Sequence, residues 1–251
     1  MIHRRSPKEI ELIQAAAEIL IETFRQVETI LEPGKKTDEI DKEIERFINK
    51  SRGKPAFKGY RGFPKSSCIS IDEEVVHGIP GKRIIREGQI ISIDIGIEYG
   101  GYFADAARTF RIGTITAEKA KLIQVTEEAL QKGIEQTIEG NHISDIGQAI
   151  QMRVESAGFS VVRDLVGHGI GTQLHEEPEI PNFVDEHRRI SPRIFPGVVF
   201  AIEPMVNAGT YKIETLADGW TVVTEDRRPS AHFEHTVAVT ENGPAILTLG
   251  R

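Results

Sequence analysis

Two stretches of the chain repeat one order of elements, and that repetition narrows the possible folds sharply. Residues 9–20, EIELIQAAAEIL, and 118–130, EKAKLIQVTEEAL, both hold Leu-Ile-Gln inside apolar spacing of about 3.6 residues, the mark of an amphipathic helix. Each is followed by a glycine break, at Gly34 and Gly140, and by a second helical pattern with Thr37 or Ser144 as the expected N-cap. Further on, GQIISID ends in Asp94 and GVVFAIE ends in Glu203, so each helix pair precedes a strand tipped by an acid. Alternation along a strand puts Ser92 with Asp94 on one face and Ala201 with Glu203 on the matching face. The expectation is a single α+β domain over residues 1–251, built from repeats at about 5–112 and 115–250, with its site at the seam.

The seam has an unusual stock of acids. After Asp94 the glycines of EYGGYF suit a hairpin that returns as ADAARTF and brings Asp105 beside Asp94. Glu203 and Glu234 form the corresponding pair in the second repeat. Four converging carboxylates raise one another's pKa and cannot all stay ionised without compensation. Two divalent cations would provide it, and a water bridging two such ions becomes a hydroxide nucleophile near neutral pH. Oxygen-rich donors suit Mn, Fe, Co or Zn better than a thiolate-seeking ion.

Histidines extend the set. His168 and His175 lie in VGHGIGTQLHEEP, the first between glycines that permit close backbone approach to a metal or substrate, and His77 precedes the tight turn of VVHGIP. His3, His142 and His187 sit in polar surroundings and are assigned no role. The stretch lacks His-Glu-x-x-His, and no Gly-x-Ser-x-Gly elbow, Walker loop or dinucleotide fingerprint occurs. Cys68 with His77 could form a nucleophile pair, but SSCISI reads as a buried strand.

A net charge of -7 argues against broad nucleic-acid binding. The apolar runs are too short to span a bilayer, and MIHRRSPKEIELIQ has no signal-peptide core. A single cysteine fits a reducing cytoplasm.

Over nearly its whole length the chain resembles the type I methionine aminopeptidases. The motifs that carry this are KPAFKGYRGFPKSSCISIDEEVVHGIP, SIDIGIEYGGYFADAARTF, VGHGIGTQLHEEPEIPN, AIEPM, DGWTVVTEDRRPSAHFEHTV and TENGPAILT. The resemblance implies a pita-bread fold, two pseudo-symmetric halves with helices outside a central curved antiparallel sheet. It also implies removal of an N-terminal methionine from nascent chains, favouring a small second residue. The implied metal ligands are Asp94, Asp105, His168, Glu203 and Glu234, holding two divalent ions (Co, Mn, Fe or Zn) with Asp105 and Glu234 bridging. Glu203 would handle the proton of the attacking water, His175 would stabilise the tetrahedral intermediate, and His77 would contact the substrate near the scissile bond. The implied methionine pocket is Tyr60, Phe63, Cys68, Leu174 and Trp220, where Leu174 stands at a position that is often aromatic in the family and Phe63 at one that is commonly Tyr.

Prolidases and creatinases share these ligands but usually carry an extra N-terminal domain, which is not expected ahead of a helix that begins within about ten residues. The 31 positions between Glu203 and Glu234 leave no room for the insertion of type II enzymes. The rival readings are an X-Pro dipeptidase of the same fold and a metal-free binding module. The enzyme is expected to be a cytoplasmic monomer with no membrane partner. Lys212, Arg227 and Arg228 make a modest basic patch that either meets the ribosome near its exit tunnel or is simply solvated charge. In AHFEHTV, strand alternation turns Glu234 away from Phe233 and His235, with His232 a rim residue on the face of Glu234.

Overall fold

Helix α1 (Pro7–Ile30) begins at a capping box, in which the Glu9 backbone N–H donates to the Ser6 hydroxyl and the Glu9 carboxylate accepts from the Ser6 backbone N–H. The computed structural model describes residues 2–184 and 191–250; His187 lies outside them. A stripe of Ile13, Ala16, Ala17, Leu20, Phe24 and Val27 buries one face of α1. Helix α2 (Thr37–Lys50) contributes Ile40, Ile44 and Ile48 to the same core. Helices α3 (Ala117–Ile134) and α4 (Ile143–Ser156) build the second core through Leu122, Val125, Ala129, Ile146 and Ile150.

The caps of α2 and α4 differ from expectation. Their N-caps are Lys36 and His142, one and two residues before Thr37 and Ser144. An acid three residues on closes each end, since the Lys36 N–H donates to Glu39 at 3.1 Å and the His142 N–H to Asp145 at 2.7 Å. With that carboxylate in place the cap residue itself needs no hydroxyl, and the Thr37 hydroxyl accepts from the Gly81 N–H instead.

Helices α1 and α2 pack on a sheet whose main strands are Cys68–Ile71, Ile90–Tyr99 and Tyr102–Arg111. A five-stranded sheet packed under α3 and α4 runs in the order Gly243–Ile246, His235–Thr240, Val199–Ile202, Gly167–Gly169, Glu176–Ile180. Both sheets are antiparallel throughout, and the helices lie outside them as a pita-bread fold requires.

The sheets are stitched together along residues 105–109 and 232–236. The Asp105 N–H donates to the Thr236 hydroxyl at 3.0 Å, which donates back to the Asp105 carbonyl at 2.8 Å. The Glu234 N–H reaches the Ala107 carbonyl at 2.9 Å, and the His232 N–H reaches the Thr109 hydroxyl at 2.9 Å. Strand 102–111 therefore pairs with 90–99 along one edge and ties to the other sheet along the opposite edge. This stitching satisfies buried backbone groups at the boundary where the acids meet. Among the described residues no helix is long and apolar enough to cross a membrane.

Candidate active site

Asp94 sits in the middle of its strand, which runs on to Tyr99 before the hairpin, and so is not a strand tip. The register sets Asp105 opposite Gly96 and Asp94 opposite Ala107, so the two aspartates are diagonal neighbours rather than a facing pair. Cys68 flanks Asp94 on the other side. Glu203 follows directly after the strand that ends at Ile202, and the Asn182 side-chain amide donates to its backbone carbonyl at 3.0 Å. Glu234 lies between two strands, Ser230–His232 and His235–Thr240, so simple alternation does not extend through AHFEHTV.

His168 is buried in a three-residue strand. Its Nδ1 lies 2.9 Å from the Gly169 carbonyl, which can only accept, so Nδ1 carries the proton and Nε2 presents a lone pair 3.5 Å from Glu203 Oε1. The flanking glycines serve strand packing: a Cβ on Gly167 would lie 2.3 Å from the Ala201 carbonyl oxygen, and one on Gly169 would lie 2.3 Å from that of Glu177. The close approach expected toward a metal or substrate is instead an approach to neighbouring backbone.

These residues share one cavity of about 140 Å³, whose walls include Asp94, Asp105, His168, Glu203 and Glu234. His77, His175, Tyr60, Phe63, Cys68 and Trp220 complete most of the remaining wall. The Phe63 and Trp220 rings meet edge to face at 5.1 Å, and His77 approaches Trp220 at 6.4 Å. The His175 ring lies 4.2 Å from that of His168 and stacks on Tyr60, whose hydroxyl is 2.9 Å from His175 Nδ1. His77 adopts a φ of 58°, a left-handed conformation that a side chain other than glycine rarely takes.

Leu174 does not reach the cavity surface and packs in the core of the first half. Phe57 and Arg61 do line it. Neither stands out in the sequence by itself, although both lie within the motif that includes Tyr60 and Phe63, and that adjacency is the available signal. His232, a rim residue by strand alternation, is instead 2% exposed; its Nε2 lies 3.7 Å from Glu203 Oε2 and has no hydrogen-bond partner among the described residues. The stitch to Thr109 draws it inward. His235 instead bonds Thr248 through Nδ1 at 2.8 Å, His3 is exposed, and His142 caps α4.

The charges in this cavity need a counterion. Burial, reinforced by the neighbouring acids, pushes the carboxyls of Asp94, Glu203 and Glu234 well above their ordinary values, and burial takes Asp105 up to about 7. Burial lowers His168 to about 4. It also lowers His175 to about 3, helped by His168, Arg61 and His77. Among the described residues, Asp94 Oδ1, Asp105 Oδ1 and Glu234 Oε1 are buried without a hydrogen-bond partner. Ligand atoms of Asp105, His168 and Glu234 lie within 4.8 Å of one another. Orphaned carboxylate oxygens facing an imidazole lone pair fit a divalent cation.

Metallopeptidase family M24 matches residues 11–241 of the chain. The chain belongs to this family, among its methionine aminopeptidases. It is 50% identical to the methionine aminopeptidase of Clostridium perfringens and 49% identical to methionine aminopeptidase 1 of Bacillus subtilis, covering 99% of both chains in each case. The solved methionine aminopeptidase of Thermotoga maritima superposes with a TM-score of 0.95 at 42% identity, covering 100% of both chains. The prolidase of Pyrococcus furiosus shares the fold at a TM-score of 0.81 and 22% identity, with this chain covering 66% of it. An M24 metallopeptidase depends on divalent metal, in keeping with the orphaned oxygens of this cavity.

Proposed function

We propose that this methionine aminopeptidase removes the N-terminal methionine of nascent chains at this cavity, using two divalent ions. The observation that carries the reading is the joining of five metal-suited side chains to an apolar, aromatic wall in one small cavity. Asp105 and Glu234 would hold both ions, Asp94 would complete one, and His168 with Glu203 the other. When bound, such ions supply a nucleophilic water near neutral pH and polarise the substrate carbonyl.

The rest falls to the chain's own side chains. Glu203 accepts the proton of the attacking water and passes it to the amine that leaves when the peptide C–N bond breaks. His175, neutral at pH 7 because its pKa is held to about 3, accepts from the Tyr60 hydroxyl at Nδ1 and donates from Nε2 to the developing oxyanion. His77 contacts the substrate beside the scissile bond. Phe63, Cys68, Trp220 and Tyr60 receive the methionine side chain, whose polarizable thioether suits aromatic edges and a thiol. Leu174 supports that pocket from the core behind it.

We read the chain as one catalytic domain made of repeats at about 5–112 and 115–250, a reading supported by the matched order of helix pair, sheet and acid. We read the enzyme as a cytoplasmic monomer. The test is release of methionine from a Met-Ala-Ser peptide with Mn, Fe, Co or Zn added anaerobically. Rapid release there, with slow release from a Met-Leu-Ser peptide, is the expected result. Preference for an X-Pro dipeptide, or inertness with all four metals, overturns it.

The basic patch gives weaker support for ribosome docking. Lys212 lies 3.9 Å from Glu225, Arg227 pairs with Glu214, and Arg228 pairs with Glu118, so the local charge is largely balanced. If the patch docks, reversing Arg227 and Arg228 to Glu abolishes co-sedimentation with ribosomes. Unchanged co-sedimentation rules this surface out.

A further inference from the structure

We propose that Arg5, in the segment ahead of α1, is a positioning residue for His175 and acts through Glu176; the inference rests on the role assigned to His175 above. The two residues are 171 positions apart in sequence. Residues 4 and 5 cross from the first half to the second, where the Arg5 N–H donates to the Gly197 carbonyl at 2.7 Å. Gly197 leaves space for this crossing, because a Cβ there would lie 2.7 Å from Arg4 Cγ.

From that anchor the Arg5 guanidinium reaches inward and pairs with the Glu176 carboxylate. Both side chains are only 6% exposed. The remaining oxygen of Glu176, Oε1, gathers the loop in front of His175. It accepts from the Thr172 N–H at 2.8 Å, the Thr172 hydroxyl at 3.0 Å and the Gln173 N–H at 2.9 Å. The loop also packs against the guanidinium itself, since a Cβ on Gly171 would lie 2.4 Å from Arg5 Nη2. One buried carboxylate therefore fixes the backbone on both sides of residues 174 and 175, and Arg5 supplies its counter-charge.

His175 depends on this arrangement because the residue as a whole stays exposed while its ring is drawn in against His168 and Tyr60, so the loop backbone sets where that ring sits. Its ring meets His168 and Tyr60 only where the loop puts it. Removing one partner of a buried ion pair leaves the other charge uncompensated, so the structure around it shifts. A shift of about 1 Å in a catalytic group can cost about 100-fold in rate. Arg5 also lies 3.8 Å from Glu9 through Nη1, so its planar fork spans two carboxylates, a geometry that the single ammonium of lysine only partly reproduces.

The test compares Arg5→Met, Arg5→Lys, His175→Ala and the Arg5→Met/His175→Ala double variant in the metal-loaded enzyme, below the melting temperature of the least stable. Arg5→Met is expected to lower kcat on the Met-Ala-Ser peptide by about 10- to 100-fold and to change KM by less than about threefold, because the Phe63 and Trp220 wall is held elsewhere. Arg5→Lys, which keeps the counter-charge to Glu176 but not the fork, should recover part of that loss. In the His175→Ala background Arg5→Met should have no further effect on kcat. An equal loss in both backgrounds, or no loss in either, overturns the proposal. A second readout does not depend on activity: the ring resonance that disappears in His175→Ala should move in Arg5→Met and return part of the way in Arg5→Lys. If wild type released no methionine, the functional reading would fail, and an unmoved resonance would separately overturn the positioning role.

Discussion

Glu203→Gln lowers methionine release by roughly 10²- to 10⁴-fold, the range that a positioned general base contributes. The amide keeps the size and shape of the side chain, and the bond from Asn182 goes to the Glu203 backbone carbonyl, which the substitution leaves in place. What is lost is the capacity to accept a proton and the negative charge facing His168 Nε2 at 3.5 Å and His232 Nε2 at 3.7 Å. The fold should survive, because a neutral amide removes a carboxyl whose ionisation burial already opposes. Glu203 is also assigned as a ligand, so metal content must be measured with the rate. A variant that retains both ions and still releases methionine slowly assigns the loss to proton transfer. Full activity with metal added would sink the proposed mechanism.

The metal-free protein loses stability as pH rises above about 6.5, and added divalent ion abolishes that slope. Asp94, Asp105, Glu203 and Glu234 have folded-state pKa values above those of the unfolded chain. Their contribution is fully present below the unfolded value near 4 and is lost as pH climbs through the folded values, with Asp105 titrating at about 7. His168, His175 and His232, lowered to about 4, 3 and 3, act in the opposite sense and lose stability as pH falls below about 6.5. The two sets oppose one another between about pH 4 and 6.5; above that window the carboxylates set the slope, joined above about 8.5 by the Cys68 thiol, which burial pushes up and which therefore acts in the same sense. The slope is then roughly 1.4 kcal/mol per pH unit for each extra proton held by the folded state. An ion at about 1,000 times its Kd adds ~4 kcal/mol, or roughly 8–16 °C in Tm for a chain of this size. Calorimetry from pH 6.5 to 9, with chelator and with Mn, measures both effects. A metal-free Tm that is flat or rising over that range contradicts the electrostatic account.

Much of the architecture is legible in the residue order because periodicity is local. Apolar spacing places helices at 9–20 and 118–130, and the structure holds them within α1 and α3. The double glycine of EYGGYF marks the turn that joins Tyr99 to Tyr102. Spacing of acids and histidines is equally visible, and the five metal-suited residues do line one cavity. Boundaries were less legible. Thr37 and Ser144 look like caps, yet Glu39 and Asp145 close those helix ends from within, a choice made by backbone geometry rather than by residue type.

Residue order is enough to establish the family, the helix pairs and the chemistry of the acids, since each depends on short-range pattern or on side-chain type. The diagonal placement of Asp94 and Asp105, the burial of His232, the withdrawal of Leu174 from the cavity and the reach of Arg5 to Glu176 emerge only from folding. The physical reason is sequence distance: each of these depends on strand register or on packing between segments far apart in the chain. No local pattern records which backbone will lie opposite, or which buried charge will find its partner across the seam.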